Sequence, residues 1–145
     1  MTTAYLSLGS NEGTRAECLF QARDLLEKHP QIKVAACSKI YETQSVEGGG
    51  ASNFLNAVLR IETSLAAHEL LRAVQNIEAE LGRPAPPRFG PRAIDLDILM
   101  FGDEQISLPD LQIPHPRLAY RAFVLKPLLD VLEGGWVRLS EETWD

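Results

Sequence analysis

Apolar and polar residues alternate from residue 4 to residue 8, and this pattern predicts a first strand that ends at residues 9–11. Apolar residues then recur at helical spacing and predict a helix. Thr14 and Glu17 form a capping box at its start, and the His29-Pro30 pair should end it. Renewed alternation predicts a second strand, which begins at Ile32 and continues towards Ile40.

The segment from Phe54 to Glu62 predicts a third strand, with one face buried in the core and the other directed away from it. The face directed away from the core begins with Phe54 and Asn56, whose ring and amide could hold a planar heterocycle with polar edges. A half-buried aromatic residue on an ordinary strand is the alternative for Phe54. The face predicted to be buried is wholly apolar: Leu55, Ala57, Leu59 and Ile61.

A second helix and a fourth strand follow. Ser64 is a candidate N-cap, an apolar stripe runs from Ala67 to Leu81, and Gly82 should end the helix. The fourth strand covers about residues 94–101, and a loop after Pro109 leads into an apolar segment at 123–132.

The order strand, helix, strand, strand, helix, strand predicts an α+β fold of the ferredoxin-like type. We expect a mostly antiparallel sheet with helices packed on it in three layers, α/β/α, and one domain over residues 1–145. Two stretches, 43–53 and 83–92, have no regular pattern. Long irregular loops in a compact domain often cover binding sites, although plain surface loops are the alternative.

Charge narrows the classes of partner. The net charge of −6 argues against a general nucleic-acid binder. Arginines nevertheless cluster between residues 83 and 121 without any lysine, which suggests a compact polyanion such as a triphosphate. Solvated surface arginines are the alternative, and charge alone does not decide between the two. We expect no membrane span, a cytoplasmic protein with reduced cysteines at 18 and 37, and a monomer with small-molecule partners.

The segment G-P-R-A-I-D-L-D-I-L at 90–99 contains the sharpest chemical signal. Asp95 and Asp97 are two residues apart, so on a strand both carboxylates lie on one face, roughly 7 Å apart along the backbone. Mg²⁺ is their natural partner, because this ion takes one or two carboxylates together with substrate phosphates. Two solvated aspartates on an edge strand are the alternative, and nearby Arg92 argues against it.

Three weaker candidates accompany the aspartates. Gln75 and Glu78 share a helix face that could hold a nucleotide or could simply be wet. His115 stands between two prolines and could reach a phosphate or pack in a turn. Glycine-rich phosphate loops are absent from the sequence, so side chains and metal would have to hold any nucleotide.

Five segments together resemble the 6-hydroxymethyl-7,8-dihydropterin pyrophosphokinases, and the likeness runs from the first strand to about Leu129. The resemblance implies transfer of pyrophosphate from ATP to the hydroxymethyl group of the pterin, in folate biosynthesis. The matching segments are LGSN at 8–11, FLNAV at 54–58, QNIEAELGR at 75–83, FGPRAIDLDIL at 89–99 and PHPRLAYRAFVL at 114–125.

The resemblance also implies roles for individual residues. Arg83, Arg92 and Asp97 would be catalytic, while Asp95 and Asp97 would hold two Mg²⁺ ions. The implied ATP site comprises Leu71, Gln75, Glu78, Arg88, Arg92, Ile98, His115 and Arg121. The implied pterin site comprises Thr43, Val46, Phe54, Asn56, Asp95 and Phe123.

Two other functions stay open at this point. A different magnesium-dependent phosphotransferase or nucleotidyltransferase could use the same aspartates, and it would form ADP or pyrophosphate instead of AMP. A non-catalytic ferredoxin-like module that binds a ligand would show no magnesium dependence. Proton removal from the pterin hydroxyl could fall to Asp97 or to a metal-bound water molecule.

Overall fold

A computed structural model describes residues 1–10, 15–43, 54–81 and 94–116. The order of elements confirms the predicted succession of strands and helices and adds three short strands. The elements are β1 (Thr2–Ser10), α1 (Arg15–Lys28), β2 (Ile32–Cys37), β3 (Tyr41–Thr43), β4 (Phe54–Thr63), α2 (Ala67–Glu80), β5 (Asp95–Phe101), β6 (Ile106–Leu108) and β7 (Leu111–Ile113).

The main sheet has the strand order β2-β4-β1-β5, and β3 continues alongside β4 beyond the end of β2. Every pairing in this sheet is antiparallel. Without β3, the strands succeed one another in space as second, third, first and fourth along the chain. The two halves thus interleave as a βαββαβ chain does in the ferredoxin-like fold, which confirms the predicted fold class.

Both helices pack on the same face of the sheet. Helix α1 contacts β1, β2 and β4, helix α2 contacts β5, and the two helices touch each other. The core between them includes Leu6, Leu59, Leu70 and Phe101, each at most 2% exposed. A third layer on the opposite face stays a prediction, because it would fall to residues 117–145, outside the described part.

No helix in the described ranges is long and apolar enough to cross a membrane.

The second strand stops earlier than predicted, at Cys37. Buried Ser38 interrupts the ladder: its N–H donates to the Val58 carbonyl, while its Oγ accepts the Val58 N–H at 2.8 Å. A side chain therefore replaces a backbone carbonyl, and the chain resumes pairing only at Tyr41. This break creates β3, a strand that the apolar pattern does not reveal.

Helix α2 begins later than predicted. The N-cap is Ala66, so the assignment of Ser64 is wrong. Thr63 Oγ1 accepts the Leu65 N–H at 3.0 Å and turns the chain before the helix. The Glu69 carboxylate accepts the Ala66 N–H at 2.8 Å and thereby satisfies a donor at the helix start. The predicted capping residue of α1, Thr14, lies outside the described residues.

Candidate active site

The register of the sheet places four residues in one row across four strands. Gly9 of β1 pairs with Asp95 of β5 on one side and with Asn56 of β4 on the other. Asn56 in turn pairs with Tyr41 of β3. Directly paired residues lie on the same face of a sheet. This site row of Asp95, Gly9, Asn56 and Tyr41 therefore lies on the face opposite the helices.

Asp97 lies on this same face, two residues further along β5 than Asp95, and it pairs with Ser7. The intervening Leu96 and the next residue, Ile98, are 5% and 4% exposed, because they face the helices. The predicted arrangement of the two aspartates on one face is thus confirmed. Apolar burial of Leu96 and Ile98 fixes which way the carboxylates point, since a slip of one residue would reverse both faces.

Gly9 allows the Asn56 side chain to lie close to β1. A Cβ atom at position 9 would stand 3.2 Å from Asn56 Oδ1, closer than an ordinary contact. Asn56 is only 7% exposed, so it has little room to move away. Glycine at this position therefore determines where the carboxamide lies in the site row.

His115 is held beside Asp97. Its backbone N–H donates to the Leu99 carbonyl at 2.9 Å, which ties the segment after β7 to the outer edge of β5. The ring Nε2 lies 4.0 Å from Asp97 Oδ1, with 24% and 54% of the respective side chains exposed. A phosphate oxygen or a water molecule could approach both groups from solvent.

Glu78 does not lie on a wet helix face. The side chain is 6% exposed, and Oε2 accepts the backbone N–H of Leu96 at 2.8 Å. Gln75, on the same helix, is exposed. The sequence pattern misses this difference because Glu78 lies next to the buried stripe of α2. Whether a residue beside the stripe is buried depends on where β5 packs against the helix, which the pattern does not contain.

A cavity of about 540 Å³ lies between α2, β5 and the β6–β7 hairpin. It brings together three of the predicted ATP-binding residues, Leu71, Ile98 and His115, with Asp97, whereas Gln75 and Glu78 are not among its described lining residues. The full described lining is Leu71, Leu96, Asp97, Ile98, Leu108, Pro109, Asp110, Leu111, Gln112, His115 and Pro116.

Sequence reasoning missed the hairpin side of this cavity. His68 Nε2 lies 3.3 Å from both carboxylate oxygens of Asp110 and connects the first turn of α2 with the hairpin turn. The sequence does contain a signal for the hairpin, since a Pro109-Asp110 turn separates two short segments with apolar ends, at 106–108 and 111–113.

The two aspartates fit a magnesium ion that is shared with a substrate. Asp95 is half-buried and Asp97 mostly exposed, and both offer hard oxygen ligands on one face. Within the described ranges, no group of three or more histidine, cysteine, aspartate or glutamate side chains could hold a metal ion. Two carboxylates that leave the remaining positions to phosphates and water suit Mg²⁺.

Several predicted site residues lie outside the described residues, and their roles stay predictions. The backbones of Thr43 and Phe54 belong to β3 and β4, but their side chains lie outside the described part. The remaining ones are Val46, Arg83, Arg88, Arg92, Arg121 and Phe123.

Comparison with known proteins agrees with this arrangement. Residues 5–133 match the family described as 7,8-dihydro-6-hydroxymethylpterin-pyrophosphokinase (HPPK). This chain belongs to the HPPK family. The match covers all the described elements of the main sheet except the first three residues of β1, and it includes the site row and both aspartates.

Curated relatives of the HPPK family are similar over most of the chain. A 2-amino-4-hydroxy-6-hydroxymethyldihydropteridine pyrophosphokinase of Bacillus subtilis is 47% identical over 130 residues, which are 90% of this chain and 78% of that protein. A protein of the same name from Pseudomonas aeruginosa is 41% identical over 127 residues, 88% of this chain and 78% of the relative.

A solved structure supports the HPPK fold independently. The crystal structure of Plasmodium falciparum HPPK-DHPS wild type with pteroate superposes with a TM-score of 0.68 at 16% identity. The superposition covers 89% of this chain but only 40% of the Plasmodium chain. At this identity the likeness supports the fold alone.

Proposed function

We propose that this protein transfers a pyrophosphate group from ATP to 6-hydroxymethyl-7,8-dihydropterin in folate biosynthesis. The hydroxymethyl oxygen of the pterin forms a bond to the β-phosphorus of ATP. The bond between that phosphorus and the oxygen bridging it to the α-phosphorus breaks, and AMP leaves with this oxygen. The hydroxyl proton is released, and the product is the pterin diphosphate. Family membership and the names of the bacterial relatives support this reaction.

One geometric observation carries the proposal: the Asp95–Asp97 pair lies between an amide platform and a cavity. Asn56 stands two strands from Asp95 in the site row, roughly 10 Å away at the usual strand spacing. The cavity of about 540 Å³ opens at Asp97 on the other side. Its volume is in the range of small-ligand sites, so a nucleotide there and a pterin at Asn56 would meet at the carboxylates.

Each group has a distinct task in this arrangement. Asn56 would orient the polar edge of the pterin, while Leu71 and Ile98 would pack against the nucleotide. Asp95 and Asp97 would hold two Mg²⁺ ions, which when bound offset the negative charge of the phosphates. Arg83 and Arg92 are proposed to neutralise the remaining phosphate charge, on the basis of the matching sequence motif.

The reaction can be tested directly by mixing the protein with ATP, Mg²⁺ and the dihydropterin and separating the products. AMP should form in step with pterin diphosphate, and a chelator should stop both. ADP would instead identify a kinase that transfers one phosphoryl group. No nucleotide product from a folded protein would favour the non-catalytic binding module.

A matched pair of variants tests the role of the carboxylates. Asp97→Asn should lower kcat at least about 100-fold, because several kcal/mol of charge stabilisation are lost at about 1.4 kcal/mol per factor of ten. Asp103→Asn makes the same change at an exposed turn position and should leave kcat unaltered. Equal activity of the two variants would contradict the metal-binding role of Asp97.

We also propose that the 16.1 kDa chain acts as a monomer. The register of the main sheet and the His115 backbone hydrogen bond bring Asn56, Asp95, Asp97 and His115 together within one fold, which supports this proposal. Light scattering with size exclusion at assay concentrations would test this, and a dimer mass would contradict it.

A further inference from the structure

Glu78 is a buried carboxylate that the proposed chemistry does not use. Acidic side chains are rarely covered to this degree unless they are paired, and Glu78 is only 6% exposed. Its Oε2 accepts the backbone N–H of Leu96 at 2.8 Å. This amide lies in the chain between Asp95 and Asp97, the two proposed metal ligands.

The outer edge of β5 needs such a contact. β5 stands at the end of the strand order among the described residues, and it pairs only with β1. The Leu96 N–H points away from β1, because it is donated to α2 instead. The Leu99 carbonyl on the same strand is held by the His115 N–H at 2.9 Å. These two hydrogen bonds anchor β5 on either side of Asp97.

Two observations favour a positioning role over direct contact with a nucleotide. Glu78 is not among the described residues that line the cavity, and little of its surface is accessible. Its position on α2 is secured by Val74 and Ile77, which are 1% and 8% exposed against the sheet. A well-packed helix thus presents an acceptor oxygen to one particular amide of the strand that carries both aspartates.

We propose that Glu78 is a positioning residue that holds the Leu96 amide and thereby sets the spacing and direction of the Asp95 and Asp97 carboxylates. The inference rests on the proposed function in one respect, the binding of Mg²⁺ by these aspartates. Residues behind metal ligands commonly change metal affinity by about 10- to 100-fold when they are removed. In this proposal the Glu78 oxygen that accepts the Leu96 N–H is required for positioning, and the negative charge of the carboxylate is not.

Two variants separate these properties. Glu78→Gln keeps an acceptor oxygen and removes the charge, whereas Glu78→Leu fills similar space without an acceptor. Glu80→Leu, at an exposed position of the same helix, is the matched control. We would measure hydrogen exchange of the Leu96 amide by NMR, the Mg²⁺ concentration that gives half-maximal activity, and the KM for ATP.

Glu78→Leu should speed exchange of the Leu96 amide at least about tenfold, because its hydrogen bond is lost. It should also raise the half-maximal Mg²⁺ concentration about tenfold or more. Glu78→Gln and Glu80→Leu should remain near the wild type in both. A higher KM for ATP in Glu78→Leu without a change in Mg²⁺ dependence would overturn the proposal in favour of a nucleotide ligand. Equal loss in Glu78→Gln and Glu78→Leu would overturn it in favour of charge.

The exchange measurement needs no substrate, so it remains informative if the wild type makes no AMP. In that case Mg²⁺ affinity would be read by titrating Mn²⁺ in its place with paramagnetic resonance. Failure of the proposed reaction would leave the Glu78 result standing. Unchanged exchange at Leu96 in Glu78→Leu would remove the positioning role even in an active enzyme.

Discussion

Replacing Gly9 by alanine should separate pterin binding from stability. The added Cβ would stand 3.2 Å from Asn56 Oδ1, so the carboxamide has to shift by a few tenths of an ångström. Asn56 is 7% exposed and cannot swing into solvent without disturbing the site row. The methyl group also enters the space between Asn56 and Asp95, where we propose that the pterin edge binds.

The size of the effect follows from one weakened hydrogen bond. Such a bond contributes about 0.5–1.5 kcal/mol, and about 1.4 kcal/mol corresponds to a factor of ten. The KM for the pterin should therefore rise roughly 2- to 12-fold. Stability should change by less than about 1 kcal/mol, because Gly9 lacks a positive φ and alanine reduces the freedom of the unfolded chain, while the close contact with Asn56 opposes this gain.

The assay combines steady-state kinetics at saturating ATP with urea unfolding. Gly102→Ala is the control, because Gly102 has φ +53 and a Cβ there would meet Thr2 Cγ2 at 3.0 Å, in the turn after β5. That variant should lose about 1–2 kcal/mol of stability and keep the pterin KM of the wild type. A stable Gly9→Ala protein with unaltered pterin KM would refute the reasoning, as would an equal rise in the KM for ATP.

Two further predictions concern the stability of the fold. Thr63→Val should lower the free energy of unfolding in urea by about 1–2 kcal/mol, because it leaves the buried Leu65 N–H without the acceptor that lies at 3.0 Å. The Gln31 carbonyl, which accepts from Thr63 Oγ1 at 2.6 Å, keeps the Ser64 N–H as a second donor at 3.3 Å. An unchanged midpoint would contradict this. Burial raises the pKa of the Cys37 thiol, so the folded chain keeps this proton to higher pH than the unfolded chain. The associated stability is present below about pH 8.5 and is lost as pH rises through the folded pKa. Urea unfolding from pH 7 to 10 should show this decline in the wild type and a smaller one in Cys37→Ala; parallel curves would contradict it.

The long elements were predictable because each carries its own periodicity. Alternation over residues 4–8, 54–62 and 94–101 predicts β1, β4 and β5, and the helical stripes predict α1 and α2. Strict alternation also places Asp95 and Asp97 on one face, which the register confirms. The ends of helices and strands were less predictable where a residue from another element sets them.

The two wrong boundaries, the end of β2 and the start of α2, depend on partners far away in the chain. The end of β2 follows from Ser38, whose hydroxyl accepts the Val58 N–H, twenty residues away. The start of α2 depends on Thr63, which donates to the Gln31 carbonyl, 32 residues away. The strands of the β6–β7 hairpin have three residues each, too few for a distinctive periodic pattern, so the Pro109-Asp110 turn is its main sequence signal. Local propensity contains no information about such partners.

The sequence by itself determined the chemistry of this protein: two aspartates at strand spacing, an arginine-rich segment and motifs that identify the HPPK family. Only the tertiary structure decided which groups meet. The antiparallel register places Gly9 and Asn56 in one row with Asp95, and the packing of α2 directs Glu78 to the Leu96 amide. The reason is physical, because strand spacing acts within a few residues, whereas register and helix packing are set by burying the apolar faces of distant segments together.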